Sequence, residues 1–221
     1  MRSPLTPEEA IAEQQALAPQ VNEHPPPDFT PKTAAGLDVA YTGETGHLIA
    51  AATVIDLTTL TLIDSAVVEG HTDFPYIPGL FAYRELPSLL KALTHLTTTP
   101  DVLVCDAQGK AHPRRFGLAC HLGLTTGIPT LGAGKTPMAP YTPPAPSRGS
   151  WTPLTDNDEE VGRALRTQDN VKPLFISIGH NLDLPTATDL VLKLTPTYRQ
   201  PETTRTADHL CRQALKSLTT D

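Results

Sequence analysis

The hydrophobic pattern of the chain changes from an early part typical of strands to a later part in which helices and strands alternate. Apolar runs over residues 35–41, 47–56 and 61–69, bounded by turn-forming residues, predict three consecutive strands. The later predicted elements are a helix over 84–96, a strand over 101–105, a helix over 116–125, strands over 130–132 and 174–178, and helices over 185–194 and 203–218. The cap residue, proline and acids of Thr6-Pro-Glu-Glu predict one further helix near the start.

This order of elements indicates the fold class. Three meandering strands followed by alternating helices and strands match the ribonuclease H-like arrangement, so we predict an α/β fold with a mixed five-stranded sheet flanked by helices. Many of the 23 prolines lie in connectors, and the proline-rich stretch 137–150 is predicted to be a surface loop. With 221 residues, of which 39% are hydrophobic, residues 1–221 are expected to fold as a single domain.

Composition narrows the functional class only a little. The net charge of -7 argues mildly against a protein that coats nucleic acid, but it does not exclude a nuclease, since acids that bind divalent cations count toward it. Three cysteines without paired spacing predict buried free thiols and a reducing cytoplasm. No segment approaches the length of a membrane span, and the first twenty residues lack the apolar run of a signal peptide.

The most informative apolar run ends at a carboxylate, Asp106, in the segment VLVCDAQGKAHPRR. A buried strand that ends in an acid places that acid at the edge of the sheet, where α/β proteins carry their chemistry. Four basic residues follow within ten positions: Lys110, His112, Arg114 and Arg115. An acid that binds metal, next to groups that bind phosphate, predicts a phosphodiester site. The alternative is local, since an aspartate after a strand commonly forms a turn or caps a helix.

Two further acids extend this hypothesis. Asp38 interrupts the first predicted strand, in GLDVAYTG, and a buried unpaired carboxylate is costly unless it is protonated or binds a cation. Glu85 precedes Pro87, and a proline tolerated only in a first helical turn places Glu85 near the helix N-terminus. Carboxylate oxygens suit hard cations, so Asp38, Glu85 and Asp106 are predicted to hold Mg²⁺. For Glu85 the alternative is an acid that only complements the helix dipole.

Seven segments, in order, cover nearly the whole chain and carry a family resemblance. They are GLDVAY, PYIPGLFAYRELP, PDVLVCDAQGKAHPRRFGLACHLG, IPTLGAGK, GSWTPLTDNDEEVGRALRT, ISIGHNLDL and LTPTYRQPETTRTADHL. In these segments the chain resembles the endonuclease V family, the inosine-directed nucleases of nucleic-acid repair. The resemblance implies a ribonuclease H-like fold and a deoxyribonuclease that uses Mg²⁺, with Mn²⁺ as a substitute.

The resemblance also implies catalytic roles. In the family, the acids that match Asp38, Glu85 and Asp106 form the metal-binding and catalytic set. Asp208, in RTADHL, is implied to be an outer catalytic acid, with an exposed helical charge as the alternative. Lys135 is implied to approach the cleaved bond, where an ammonium stabilises phosphate charge or orients water, and a solvated surface lysine is the alternative. In the implied mechanism water attacks the phosphorus and the 3′-oxygen leaves.

The substrate-binding residues are implied by the same resemblance. Pro75, Tyr76, Ile77 and Pro78 match the family's wedge, which enters the duplex where the modified base is turned out. Without the family, a proline-rich turn with a core tyrosine is the favoured interpretation. The implied pocket lining is Gly79, Phe81, Ala107, Gly117, Leu118 and Met138, and the predicted contacts to the substrate backbone are His112 and Arg114. The family normally has glycine at the position of Ala107, so the added methyl is expected to narrow the pocket or shift the backbone.

The predicted function is hydrolysis of the second phosphodiester bond 3′ to an inosine, which leaves 3′-hydroxyl and 5′-phosphate ends. The expected substrate is double- or single-stranded DNA that contains deoxyinosine, cut by a cytoplasmic monomer without a membrane partner. Two alternatives stay open: a nuclease that acts mainly on inosine in RNA, and a module that binds deaminated bases without cutting. The binding module predicts that one or more of the four acids is lost, and all four are present.

Overall fold

The computed structural model describes residues 6–42 and 46–218. In chain order its main elements are α1 (Pro7–Leu17), β1 (Thr33–Tyr41), β2 (His47–Asp56), β3 (Leu62–His71), α2 (Ala82–Thr94), β4 (Val102–Cys105), α3 (Leu118–Thr126), β5 (Thr130–Gly134), β6 (Trp151–Asp156), β7 (Glu159–Leu165), β8 (Leu174–His180), α4 (Leu184–Leu194) and α5 (Glu202–Leu218). The first five residues, part of the segment predicted to lack a signal peptide, lie outside the described residues. No helix within the described ranges is both long and apolar enough to cross a bilayer.

The described strands form one mixed sheet in the order β3-β2-β1-β4-β5-β8-β7-β6. β1 pairs antiparallel with β2 and parallel with β4, β4 pairs parallel with β5, and β8 runs antiparallel to β5. The predicted α/β class is confirmed. The predicted number of five strands is wrong, because this sheet has eight, and two of them lie in a stretch for which the hydrophobic pattern predicts no strand.

Those two strands, β6 and β7, form a hairpin that the sequence pattern hides. Asn157 and Asp158 connect them with φ values of 52° and 63°, the left-handed pair that a two-residue hairpin turn requires. Pro153 lies within β6, which is tolerated because β6 is the edge strand of the sheet. Pro153 and the acidic residues between 156 and 160 mask the alternation of apolar and polar residues that is expected of a strand. The local pattern alone therefore does not predict this extension of the sheet.

Helices cover both faces of the sheet. Ala35 and Leu37 of β1 pack in the core cluster that includes residues of α2 and α3, and we call this side the α2 face. Gly36 lies on the opposite side, where α5 approaches so closely that a Cβ at Gly36 would lie 2.1 Å from the carbonyl carbon of Thr203. α4 packs on this second side as well, and we call it the α5 face. The alternation along β1 therefore assigns each of its side chains to one face.

The helix starts follow the predicted signals, with one correction at Pro87. Thr6 caps α1, since the Glu9 N–H donates to Thr6 Oγ1 at 3.2 Å and the Thr6 N–H donates to Glu9 Oε2 at 3.0 Å. α2 begins at Ala82, two residues before the predicted start, which keeps Glu85 in the first turn but places Pro87 beyond it. The prediction that Pro87 lies in the first turn is wrong. Pro87 removes the hydrogen bond that an N–H there would donate to the carbonyl of Tyr83, and α2 nevertheless continues through it to Thr94.

Candidate active site

Three of the predicted site residues lie where the carboxyl ends of β1, β4 and β5 meet. The register pairs Leu37 of β1 with Cys105 of β4, so Asp38 and Asp106 occupy the next position on two adjacent parallel strands. Lys135 directly follows β5, the strand on the other side of β4. Because side chains alternate along each strand, all three residues belong to the α5 face of the sheet.

Lys135 contacts the central acid. Its Nζ forms an ion pair with Asp106 Oδ2, and the lysine side chain is half-exposed while the carboxylate is largely buried. The ammonium of Lys135 therefore lies at the acids while about half of its side chain is exposed, and its role at the cleaved bond stays a prediction. One face of the ammonium stays open to solvent or to a substrate.

The environment of Asp38 disfavours its negative charge. Burial is the largest cause that raises the pKa of this carboxyl from 3.8 to about 7, and the charges of Asp106 and Asp208 raise it further. The ammonium of Lys135 acts in the opposite direction and only partly compensates. A cation bound among these acids would relieve a repulsion that the fold itself creates.

Glu85 reaches the same region from the first turn of α2, on the opposite face. Burial is the main reason that the pKa of Glu85 is raised to about 8, and the charges of Asp38 and Asp106 add to the effect. The Tyr41 hydroxyl donates to Glu85 Oε1 at 3.2 Å, which favours the ionised form. Arg84 Nε donates in turn to the Tyr41 hydroxyl at 3.3 Å.

Tyr41 is a site residue that the sequence analysis missed. A usable signal exists in GLDVAY: Tyr41 is three positions after Asp38, so strand alternation places it on the α2 face, opposite Asp38 and on the side of Glu85.

Asp208 lies on α5, which packs against β1. Arg212, one turn further along the helix, donates through Nε to both carboxylate oxygens of Asp208, at 2.8 and 2.9 Å. The charge of Asp208 acts on Asp38 and raises its pKa. The structure thus brings Asp208 to the edge of the acid cluster, already paired with an arginine.

The predicted wedge precedes α2 and is open to solvent. Tyr76 is 75% exposed, and Pro75 and Pro78 are exposed as well. Ile77 is half-buried and packs against a small cluster that contains Leu80 of the same connector. The alternative of a core tyrosine is wrong, because the ring of Tyr76 lies on the surface.

A hydrogen-bond cluster holds the end of the wedge. Gly79 has a φ of +81°, and its carbonyl accepts from Gln14 Nε2 at 3.1 Å, His112 Nε2 at 2.9 Å and Arg114 Nη2 at 2.8 Å. Arg114 Nε also donates to Gln14 Oε1 at 2.6 Å, and Gln14 Nε2 donates to the Phe116 carbonyl at 2.9 Å. We call Gln14, Gly79, His112 and Arg114 the Gly79 cluster.

His112 belongs to this cluster as a neutral side chain. It is 2% exposed, and burial, followed by the charge of Arg114, lowers its pKa to about 4. Its Nδ1 accepts from the Arg114 backbone N–H at 3.2 Å, so the ring proton resides on Nε2, which donates to Gly79. The structure shows His112 and Arg114 behind the wedge, and their predicted contact with the substrate backbone stays a prediction.

The predicted pocket residues divide into a buried group and an exposed one. Phe81, Ala107 and Leu118 share the core cluster on the α2 face. Gly117 is the N-cap of α3, where a Cβ would lie 2.2 Å from the Gln108 carbonyl oxygen, so only glycine fits the backbone there. Met138 lies apart on the exposed loop after β5. The methyl of Ala107 is accommodated in the core.

The acids have the chemistry of a cation site but not a compact set of ligands. Within residues 6–42 and 46–218, no three His, Cys, Asp or Glu side chains are placed closely enough together to hold a metal ion. The electrostatics nevertheless fit a cation, because Asp38 and Glu85 have raised pKa values caused by burial and mutual repulsion, and their oxygens are hard donors. These acids can supply the charge that a divalent cation needs, and within the described residues that charge is partly offset by Lys135 at Asp38 and by Tyr41 and Arg84 at Glu85.

Comparison with known proteins identifies the family. The family model for endonuclease V matches residues 15–209. The chain belongs to the endonuclease V family. An endonuclease V of Nocardia farcinica is 56% identical over 218 residues, which cover 98% of this chain and 96% of that protein. The family predicted from the sequence is confirmed, and endonuclease V proteins are generally metal-dependent.

Solved structures of endonuclease V share the fold. The crystal structure of endonuclease V from Streptomyces avermitilis has a TM-score of 0.91 at 50% identity and covers 98% of this chain and 96% of that chain. A Ciona intestinalis endonuclease V, solved in complex with a 24mer DNA containing an inosine followed by a ribo-adenosine, has a TM-score of 0.83 and covers 96% of this chain and 98% of that chain. It is 23% identical, so this second likeness concerns the fold alone.

Proposed function

We propose that this endonuclease V hydrolyses the second phosphodiester bond 3′ to a deoxyinosine and leaves 3′-hydroxyl and 5′-phosphate ends. The observation that carries the proposal is the meeting of Asp38 and Asp106 on adjacent parallel strands, with Glu85 facing them from α2. Burial, together with the charges of neighbouring acids, raises the pKa values of Asp38 and Glu85, and carboxyls perturbed in this way favour a functional site.

The same three acids, Asp38, Glu85 and Asp106, are proposed to hold Mg²⁺, for which Mn²⁺ substitutes. A bound divalent cation supplies charge stabilisation for the phosphate oxygens and makes water a better nucleophile near neutral pH. The chain contributes three carboxyls as ligands, and because the pKa values of Asp38 and Glu85 are raised, these two give up protons when the cation binds.

Other residues orient the reacting groups. Lys135 is proposed to donate from its half-exposed ammonium to an oxygen of the cleaved phosphate, while its contact with Asp106 keeps it in place. The hydrogen bond from Tyr41 holds Glu85 toward the acids. Asp208, fixed by Arg212, is proposed to act as an outer acid that adds negative charge next to Asp38.

Recognition of the modified base is assigned to the α2 face. Tyr76 is proposed to stack against the base step that opens when the inosine leaves the duplex, with Pro75, Ile77 and Pro78 fixing the backbone of the wedge. The Gly79 cluster supports this segment from behind. The flipped base is proposed to lie near Gly79, Phe81, Ala107, Gly117, Leu118 and Met138.

The remaining parts of the proposal concern the core of the fold, the number of domains, the oligomeric state and the cellular compartment. The order β3-β2-β1-β4-β5 supports a ribonuclease H-like core to which β8, β7 and β6 are added. Residues 1–221 are proposed to form a single domain that acts as a monomer. The three cysteines are free and buried, which suits the reducing cytoplasm proposed for the chain.

The test uses the purified chain with Mg²⁺ and three matched oligonucleotides, which carry deoxyinosine, deoxyadenosine or ribo-inosine at one position. We expect one nick, two bonds 3′ to deoxyinosine, whose ends a DNA ligase can reseal. Cleavage confined to the ribo-inosine strand would favour the RNA alternative. Tight binding of the deoxyinosine strand without cleavage would favour the binding module and contradict the proposal.

A further inference from the structure

A pocket of about 360 Å³ lies on α5 and the segment before it, beside the acids. We call it the α5 pocket, and its main lining residues are Tyr198, Arg199, Arg205, Asp208, His209 and Arg212. Its three arginines outnumber the two acids that pair with them, Asp208 in the lining and Glu202 beside it, although the whole chain has a net charge of -7. A locally cationic pocket in an acidic protein calls for an anionic ligand.

Two of these arginines are held in position through part of their guanidinium groups. Arg205 lies over the Tyr198 ring at 3.7 Å, and its Nε bonds Glu202 Oε2 at 3.3 Å. Arg212 uses Nε for both oxygens of Asp208. Each guanidinium is thereby oriented through its Nε, and among residues 6–42 and 46–218 no hydrogen bond engages its terminal amino groups, which can therefore meet a ligand. Oriented guanidinium groups suit the bidentate binding of phosphate.

The α5 pocket is electrostatically continuous with the acids. Arg199 donates to the carbonyls of Pro173 at 2.8 Å and Lys135 at 3.4 Å, and its charge interacts with that of Asp106. The charge of Arg212 interacts with Asp38 as well as with Asp208. The pocket cations therefore lie close enough to the acids to influence them.

The positions of the wedge, the acids and the α5 pocket define a path for the substrate strand. The wedge lies next to α2, on the α2 face, whereas the pocket lies on α5, on the opposite face. The acids stand between them at the edge of the sheet. A strand that has its inosine at the wedge and its cleaved bond at the acids reaches the α5 pocket next, on the 3′ side of the cut.

We propose that the α5 pocket binds a backbone phosphate of the substrate strand on the 3′ side of the cleaved bond, with Arg205 as the principal contact. This inference rests on the proposed function and extends it to a part of the substrate that neither the wedge nor the acids contact. Acids repel incoming phosphates, and cations just beyond them offset that repulsion. Phosphate contacts of this kind set register and are independent of base sequence.

The test measures affinity for a deoxyinosine duplex in EDTA, where no cut occurs, over a series of salt concentrations. For Arg205→Gln we expect affinity to fall about tenfold and the slope of log affinity against log salt to decrease by about one. Arg205→Lys keeps the charge and should keep the slope. Lys193→Gln, in the last turn of α4, is the matched control, since it also removes one charge and should change neither quantity.

A shortened substrate locates the contact. When the strand ends directly after the bond that is cut, the wild-type chain and Arg205→Gln should bind equally well. Unchanged affinity and slope in Arg205→Gln, or an equal loss in Lys193→Gln, would overturn the pocket while leaving inosine-directed nicking by the wild-type chain intact. A wild-type chain that neither binds nor nicks the duplex would contradict the proposed function itself. Thermal unfolding of each variant checks that α5 remains folded.

Discussion

The acid cluster and the Gly79 cluster are both partly buried and polar, but they differ in how their groups are satisfied. At Gly79 one carbonyl accepts three donors, and two of those donors also bond each other. At Asp38 and Glu85, burial and neighbouring negative charge raise the pKa values, and Lys135 at the first and Tyr41 and Arg84 at the second compensate only in part. The first arrangement favours one fixed conformation, whereas the second favours uptake of a cation.

The largest expected effect comes from removing a charge at the acids. Asp106→Asn keeps the shape of the side chain but loses the charge that pairs with Lys135, so nicking of a deoxyinosine duplex in Mg²⁺ should fall by about 10³-fold or more. Asp189→Asn, on the exposed side of α4, is the matched control and should nick normally. Normal nicking by Asp106→Asn would remove this acid from the catalytic set.

The wedge should show a smaller effect, confined to binding. Tyr76 is 75% exposed, so Tyr76→Ala should leave the free energy of unfolding unchanged. Loss of stacking worth about 1–3 kcal/mol should weaken affinity for the deoxyinosine duplex about 5- to 150-fold. Tyr76→Phe, which keeps the ring, should bind like the wild-type chain, and a loss of affinity in both variants would point away from stacking.

Breaking the Gly79 cluster should lower the free energy of unfolding. It should also leave the wedge without its support, so that the wedge is held less firmly in position. Gln14 is 1% exposed, and Gln14→Ala removes its bonds to Gly79, Phe116 and Arg114, so the free energy of unfolding should fall by about 1–3 kcal/mol. The KM for the duplex should rise more than kcat falls. Gln20→Ala, at an exposed position with one local bond, should change neither. If Gln14→Ala and Gln20→Ala had the same free energy of unfolding and the same KM, the Gly79 cluster would not be what fixes the wedge.

The smallest predicted effect is a shift in pH dependence. Asp38 and Glu85, with pKa values of about 7 and 8, hold protons below these values and lose them above. Protons therefore compete with Mg²⁺, and at limiting Mg²⁺ the nicking rate should rise between about pH 6 and 8. A tenfold increase in Mg²⁺ should move the midpoint to lower pH by up to about one unit. A midpoint independent of Mg²⁺ would argue that the protons and the cation occupy different groups.

The sequence predicts the acid cluster better than the Gly79 cluster, for a physical reason. Asp38 interrupts a strand and Asp106 ends one, so each carries a local signal, and strand pairing then brings them together. Gln14 bonds residues 65 and 102 positions away, and nothing in the pattern of α1 distinguishes it from a surface glutamine. Contacts of this length depend on how whole elements pack, which local periodicity does not specify.

The same contrast applies to the fold. The strands β1 to β5 and their helices follow from apolar runs and cap residues, whereas the β6–β7 hairpin is hidden by Pro153 and by charged residues at the edge of the sheet. Its one local signal is the pair Asn157 and Asp158, which favours a tight turn. Asp208 has only the signal of an exposed helical acid, and its place beside Asp38 depends on the packing of α5 against β1.

Calorimetric titration of Mg²⁺ into the chain at pH 7, repeated in buffers of different ionisation enthalpy, tests the cation site most directly. Because Asp38 and Glu85 hold protons at this pH, the wild-type chain should bind Mg²⁺ saturably and release about one proton. Asp38→Asn should bind more weakly and release less. Absence of saturable binding in the wild-type chain, or binding without proton release that Asp38→Asn leaves unchanged, would contradict the assignment of these acids to the cation.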